Sequence, residues 1–195
     1  MPSPLAPPIV APIGDVTTLR LDLRRFDADD LDELTEIFAL PEIWQFPYGR
    51  GFTREETASF LDAQMANWLE CEFGLWVART LDDGQMIGYA GLSVPTFLPE
   101  VLPAVEVGWR LIPDVWGNGY ATEAASAALD QAFGTLGLTE VCSVPQVGNP
   151  PSAKVAERLG MTLVRQVVIP ANERRGELAG LLYEITAREW ANRCR

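Results

Sequence analysis

The sequence predicts an α+β domain in which a mixed sheet carries helices on both faces. Strand-like and helix-like segments follow one another in the order β-α-α-β-β-β-α-β-α-β-β, a pattern that buries its apolar stripes as stacked layers. At 195 residues the chain fits one ordinary domain with a continuous core. Apolar residues make up 48% and charged residues 22%, a globular composition.

Each element has its own local signal. Met1 to Gly14 is rich in proline (Pro2, Pro4, Pro7, Pro8, Pro12) and lacks a basic start, so residues 1–16 read as an extended arm and not as a signal peptide. The folded domain is expected over 17–195. In Thr18 to Phe26, Leu19, Leu21 and Leu23 alternate with polar neighbours, the period of a half-buried strand. Asp29 or Asp30 can cap a helix with Leu31, Leu34 and Phe38 on one face, stopped by Pro41. After an aromatic loop over Glu42 to Phe52, Thr53-Arg-Glu-Glu56 is a capping box. It opens a helix with Phe60, Leu61, Met65, Trp68 and Leu69 at helical spacing. Phe73–Leu81 and Met86–Val94 read as two strands joined by the hairpin signal Asp82-Asp83-Gly84. In the strand Val105–Leu111, Val105, Val107, Trp109 and Leu111 share one side, and Glu106, Gly108 and Arg110 the other. Ala121, Ala124, Ala125, Ala128, Leu129, Ala132, Phe133 and Leu136 mark the apolar face of a long helix closed by Gly137. A strand at Glu140–Val144, a helix at Ser152–Leu159 and strands at Met161–Ile169 and Leu181–Thr186 complete the chain.

Composition removes several functions. The sequence contains no histidine, which excludes Ser-His-Asp and Cys-His catalysis and zinc sites built on imidazole. Cys71, Cys142 and Cys194 are too few and too scattered for a disulfide framework or a metal site, and read as free thiols. No apolar run approaches the roughly 20 residues of a membrane span. The expected location is therefore the cytoplasm. The net charge of −12 lies mostly in residues 1–83, which hold 16 acidic and 6 basic side chains. A nucleic-acid footprint needs a basic stripe, and none is present. The acidic half either attracts a cationic ligand or is a solvated surface.

The stretch that carries chemistry is Trp116-Gly117-Asn118-Gly119-Tyr120-Ala121-Thr122-Glu123-Ala124, between a strand and the Ala-rich helix. Its glycines let backbone N–H groups turn toward an anion, and the helix dipole adds positive potential. Strand, glycine turn and helix N-terminus form a pyrophosphate cradle that requires no basic side chain. An ordinary tight turn explains Gly-x-Gly equally well. A dinucleotide-binding turn is the third reading, with Glu140 as its ribose acid, but Thr122 stands where that motif needs glycine.

A second segment, Gly148-Asn149-Pro150-Pro151-Ser152-Ala153-Lys154-Val155-Ala156-Glu157-Arg158-Leu159-Gly160-Met161, runs one short helix into a strand. Together the two segments resemble the GNAT N-acetyltransferases, in particular the branch of ribosomal-protein N-terminal acetyltransferases. That branch carries Trp-Gly-x-Gly-Tyr-Ala-x-Glu-Ala and Asn-x-x-Ser-x-x-Val-x-Glu-(Lys/Arg)-Leu-Gly-(Met/Phe) in this order. The resemblance implies a mostly antiparallel central sheet and acetyl-coenzyme A as co-substrate. Gly117, Asn118, Gly119, Tyr120 and Ala121, flanked by Trp116 and Thr122, would hold the pyrophosphate. The backbone from Trp109 through Leu111 and Ile112 would bind the pantetheine amides as an added strand. Asn149 would hold the pantetheine arm, and Ser152 would lie near the thioester sulfur. The superfamily's Arg/Gln at the start of the phosphate loop is Asp114 here, and its tyrosine general acid is Ala156, which leaves the acid unassigned.

The expected reaction moves an acetyl group to a primary amine, whose ammonium form must first lose a proton. Glu106 is the predicted general base, the alternative being a strand carboxylate paired with an arginine. Glu184 is a reserve base. Ser152 is the predicted partner of the departing thiolate, or else a helix N-cap. Cys142 is the only candidate nucleophile, and it lacks an activating base. Lys154 and Arg158 either meet the 3′-phosphate or are solvated charges. Trp44, Phe46 and Tyr48, with Glu42, Glu55 and Glu56 nearby, suit a cationic acceptor such as a protein N-terminus, a polyamine or an aminoglycoside. Core packing explains the same aromatics. The partners expected are thus a small-molecule or peptide amine, with no nucleic acid, membrane or metal, acting on a monomer or homodimer. A non-catalytic acyl-coenzyme A sensor on the same fold is the alternative function.

Overall fold

A computed structural model describes residue 7 and residues 9–193. Cys194 and most of the proline arm fall outside them. One eight-stranded sheet forms the centre, built from β1 (Val16–Thr17), β2 (Leu21–Arg24), β3 (Leu75–Thr80), β4 (Met86–Ser93), β5 (Glu106–Leu111), β6 (Glu140–Ser143), β7 (Thr162–Ile169) and β8 (Leu178–Thr186). Its order is β1-β2-β3-β4-β5-β6-β8-β7. Every neighbouring pair is antiparallel except β5–β6, which is parallel. The helices are α1 (Leu31–Phe38), α2 (Arg54–Cys71), α3 (Tyr120–Gly134), α4 (Pro150–Arg158) and α5 (Ala187–Arg193). The expected α+β architecture is therefore present, with one strand and one helix more than the sequence signals implied.

The extra strand arises where Thr18 turns the chain. Its N–H donates to the Leu21 carbonyl (2.8 Å), so β1 and β2 form a small hairpin where one strand was expected. Leu19 sits at the tip and is 88% exposed, while Leu21 and Leu23 are fully buried. A turn breaks the period of two, and Leu19 leaves the row. Leu69 departs likewise: α2 buries Leu61 and Trp68, but Leu69 lies on its outer face. The Thr53 capping box forms as expected, with Thr53 Oγ1 accepting from the Glu56 N–H at 3.2 Å and Glu56 accepting from the Thr53 N–H at 2.9 Å. Asp30 is the residue before α1, as expected, but its side chain does not cap that helix; it closes the capping box of the short turn Ala28–Asp30, whose own cap is Asp27.

Helix α3 owes its position to alanine. Ala124, Ala125, Ala128 and Ala132 are all inaccessible to solvent, and these small side chains let the helix axis approach β4 and β5. Within residues 9–15 the chain is anchored to the domain at two points: Ile13 is buried, and the Val10 N–H donates to the Leu136 carbonyl, although the Val10 side chain is exposed. A second, smaller core (Leu98, Cys142, Val144, Val167, Ile169, Leu182) fills one face of the β6–β8–β7 half beneath residues 94–104. Among the described residues no helix is long and apolar enough to cross a membrane.

Candidate active site

The mouth of α3 is set by two glycines. Gly119, the residue before the helix, has φ +84°, and Gly117 has φ +80°. Both lie in the left-handed region that a Cβ disfavours. This backbone leaves the N–H groups of Gly117, Gly119, Tyr120, Ala121 and Thr122 with no acceptor among the described residues. Thr122 Oγ1, in the same turn, is enclosed and also unpartnered. Five free donors and an orphaned hydroxyl at the positive end of a helix fit the pyrophosphate of coenzyme A. Asn118 differs, because its N–H already donates to Val115 at 3.4 Å.

Two side chains far back in the sequence, Thr18 and Arg20, brace this mouth through Glu123, and sequence reasoning missed them. Arg20 Nε donates to Glu123 Oε2 at 2.6 Å, and Arg20 Nη1 donates to the Asn118 carbonyl at 3.0 Å. The Arg20 guanidinium also lies 4.3 Å from the Tyr120 ring centroid. Thr18 Oγ1 donates to Glu123 Oε1 at 2.7 Å. Burial opposes the charge on Glu123, but the Thr18 hydroxyl and Arg20 outweigh it and lower its pKa. The only available signal was the lone acid inside the glycine motif, which calls for a cationic partner.

From this mouth a gap runs between β5 and β6. The two strands are paired at one position, Glu106 opposite Cys142, where the Cys142 N–H donates to the Val105 carbonyl at 2.9 Å. Beyond it the Val144 N–H turns to the Glu106 carboxyl (3.2 Å) and the strands part. The Ile112 N–H donates to Ile87 on the β4 side, so by alternation the backbone of Trp109 faces the gap. Ile112 is thereby committed to the sheet, contrary to its expected role, and the Leu111 carbonyl is taken by Trp116 Nε1 at 2.7 Å. Trp109 is left as the edge that an extended amide chain can join.

Glu106 marks the point of divergence. Burial pushes its pKa up to about 7, against the Val144 N–H and the Ser93 hydroxyl, which favour the charged form. Among the described residues it has no arginine partner within ion-pair distance. A carboxyl near half ionisation at neutral pH can accept a proton and release it again. Its neighbour Cys142 is buried, and desolvation, Glu106 and Glu184 all raise its thiol pKa far above neutrality. That environment suppresses thiolate formation.

At the far end, Asn149 caps α4: its Oδ1 accepts the Ser152 N–H at 3.4 Å. The cap is thus Asn149 and not Ser152, whose hydroxyl remains half-buried in the first turn. Lys154 and Arg158 are exposed along α4. The aromatic loop does not present a cage for a cation. Trp44 is 4% exposed, stacked on Phe52 at 3.8 Å and 5°, with the Arg110 guanidinium 4.2 Å from its ring centroid. Two groups this close cannot share a face, so both faces of Trp44 are covered by the protein itself. Phe46 and Tyr48 are half-buried. A concavity of about 440 Å³ lies elsewhere, between α1, Gln85-Met86 and Ile112–Asp114. Glu33, Glu36, Glu42 and Asp114 line it and would repel phosphates. No group of three or more His, Cys, Asp or Glu side chains fit for a metal occurs among the described residues.

Comparison with known proteins agrees with this geometry. Residues 20–162 match the acetyltransferase (GNAT) domain family. An Aspergillus fumigatus protein named FsC-acetyl coenzyme A-N(2)-transacetylase is 31% identical over 189 residues, covering 89% of this chain and 76% of that protein. Bacillus subtilis YkkB is 29% identical over 147 residues, covering 75% and 84%. A crystal structure of an acetyltransferase from Agrobacterium tumefaciens superposes with a TM-score of 0.71 at 30% identity, covering 91% of this chain and 96% of that one. The glycine-gated mouth of α3, the parted strands and these likenesses lead to one conclusion: the chain belongs to the GNAT acetyltransferase family.

Proposed function

We propose that this protein is an acetyl-coenzyme A-dependent N-acetyltransferase that modifies a primary amine by direct attack, with Glu106 as general base. The observation that carries this reading is a carboxyl with pKa about 7 at the apex of the β5–β6 gap. In this reading the free donors of Gly117 to Thr122 hold the pyrophosphate, and the Trp109 edge aligns the pantetheine toward Glu106. When bound, the co-substrate supplies an acetyl thioester. Glu106 takes a proton from the incoming ammonium, the amine nitrogen forms the new bond to the acetyl carbon as the carbon–sulfur bond breaks, and the second nitrogen proton passes to the departing sulfur, by way of the Ser152 hydroxyl, to give the amide and the free thiol. Ser152, the proposed acid, hydrogen-bonds the departing sulfur. Its position in the first turn of α4 and the absence of a tyrosine at Ala156 support that assignment. The raised thiol pKa of Cys142 argues against an acyl-enzyme route.

The Aspergillus relative, named as an acetyl transferase to nitrogen, supports an amine acceptor. A protein N-terminus, as in the ribosomal-protein branch, or a small polyamine fits the reading. Two buried, unpaired thiols, Cys71 and Cys142, accord with a reducing cytoplasm. Free thiol released from acetyl-coenzyme A across a panel of peptide and small amines tests the proposal. Amine-dependent release is expected. Cofactor binding without release on any amine would favour the sensor reading, for which Ala156 is the structural argument.

A further inference from the structure

Arg110 stands on β5 one residue from the Trp109 edge and on the same strand face as Glu106, yet the reaction does not use its charge. Its guanidinium is spent on two elements, the segment that precedes α2 and Tyr89 on β4. Nη1 donates to the carbonyls of Ile43 and Phe46, the latter at 2.8 Å. Nε donates to Tyr89 Oη at 3.0 Å, which fixes the fork against β4. The plane lies 4.2 Å from the Trp44 ring centroid. Trp44 in turn stacks on Phe52 at 3.8 Å, and the Arg174 guanidinium, on the turn between β7 and β8, reaches to 5.8 Å from the Phe52 ring. Arg110, Trp44, Phe52 and Arg174 therefore form a cation–ring–ring–cation column. It starts on the strand that carries the base, crosses the 42–52 loop and ends on the β7–β8 turn.

We propose that the acceptor amine reaches Glu106 along the face of β5 that Glu106 shares with Arg110, and that Arg110 is a positioning residue that holds the 42–52 loop, and through it the β7–β8 turn, at a set distance from Glu106 on that face. The inference rests on the acetyltransferase reading above. Two carbonyls held by Nη1, on a guanidinium plane that Nε fixes to Tyr89 and that carries the Trp44 ring on its face, define both the height and the tilt of the loop. Lysine offers one point charge and no plane, so it cannot reproduce this grip. The column also explains why the aromatic loop takes no cationic ligand on the Trp44 face: the chain's own guanidinium occupies it. Acceptor recognition must then use the loop's edges, which Arg110 sets.

The test is steady-state kinetics on the full chain with the best amine of the panel. Arg110→Lys and Arg110→Met should each raise the acceptor KM at least tenfold. The acetyl-coenzyme A dissociation constant should stay within about twofold, and the pH midpoint of the Glu106 limb should not move. Added ethylguanidinium should recover part of the acceptor KM in Arg110→Ala, while ethylammonium should not. Arg174→Ala, which loosens only the exposed end of the column, should raise the acceptor KM a few-fold with the melting temperature unchanged. Unaltered acceptor KM in the Arg110 variants overturns the proposal while leaving the enzyme reading intact. Loss of cofactor affinity in step with acceptor affinity overturns it as well, because it indicates a general loosening of β5. Failure of the unaltered protein to acetylate any amine removes both.

Discussion

At the scale of single residues, the proposed base Glu106 sits where burial of its carboxyl costs stability. An unfolded glutamate titrates near 4.5, whereas burial raises Glu106 to about 7 in the fold. Between these values the unfolded chain has released a proton that the folded chain still holds. This contribution therefore destabilises the fold progressively as pH rises from 4.5 to 7, by up to about 3 kcal/mol for a shift of this size. Glu106→Gln removes the term while keeping an acceptor for the Val144 N–H. The variant should melt higher than the unaltered protein at pH 8 and at nearly the same temperature at pH 4.5. Its kcat should fall by about 10²-fold or more, the usual worth of a positioned base. The activity of the unaltered protein should rise with pH through a midpoint near 7, and that limb should vanish in the variant. Equal pH–rate profiles for the two proteins would refute the assignment of the base.

At the scale of elements, the α3 mouth is held from two directions, and each can be removed separately. Gly119→Ala places a Cβ at φ +84° with no steric collision nearer than Arg20 Nη2 at 3.5 Å, so its cost is conformational, about 1 kcal/mol. For a chain of this length that corresponds to a loss of roughly 2–4 °C in melting temperature. Arg20→Ala leaves the backbone conformation free to form but releases Glu123 and the Asn118 carbonyl. Both variants should lose more than half of the stabilisation that coenzyme A confers, as read by thermal shift; retention of the full shift would place the pyrophosphate elsewhere. A different pair governs the entry to α1. Asp30, 2% exposed, takes two hydrogen bonds from Arg24 at 2.9 and 2.5 Å. Burial opposes its charge, but Arg24, the Asp27 N–H and Arg79 prevail and lower its pKa. Its stabilising contribution is present above the ordinary carboxylate range and is lost as pH falls through that lowered value. Asp30→Ala leaves Arg24 half-enclosed without its partner, and should cost about 3 kcal/mol at pH 7, with a smaller penalty at pH 3.

These elements differ in how far the sequence discloses them. The glycine turn, the alanine face of α3 and the Thr53 box are local chemistry, complete within a few residues, and could be read directly. The Arg20–Glu123 brace joins positions 103 residues apart, and no spacing rule connects them. The aromatic loop was visible as an apolar cluster, but which cation would cover Trp44 depends on β5 lying beneath it. Leu19 kept the strand period and still ended in a turn, because hydrogen bonds between Thr18 and Leu21 close the hairpin there.

At the scale of the whole molecule, the proposed function has an acidic chain bind a polyanion. The net charge of −12 sets up a field that opposes coenzyme A at long range, while the α3 donors and Arg20 attract it at contact. The two effects respond differently to salt. Screening over about 10 Å at 0.1 M weakens repulsion from the distant carboxylates of residues 1–83 far more than it weakens hydrogen bonds made at 3 Å. Coenzyme A affinity should therefore stay level or tighten as salt rises from about 0.02 to 0.2 M, the opposite of a site built on a basic patch. At a hundredfold excess over the dissociation constant the ligand should stabilise the fold by about 2.7 kcal/mol, or roughly 5–10 °C. NAD, whose binding would need a third glycine at Thr122, should give no shift. A steep loss of coenzyme A affinity with salt would mean that side-chain cations such as Lys154 and Arg158, and not the main-chain donors of α3, hold the phosphates.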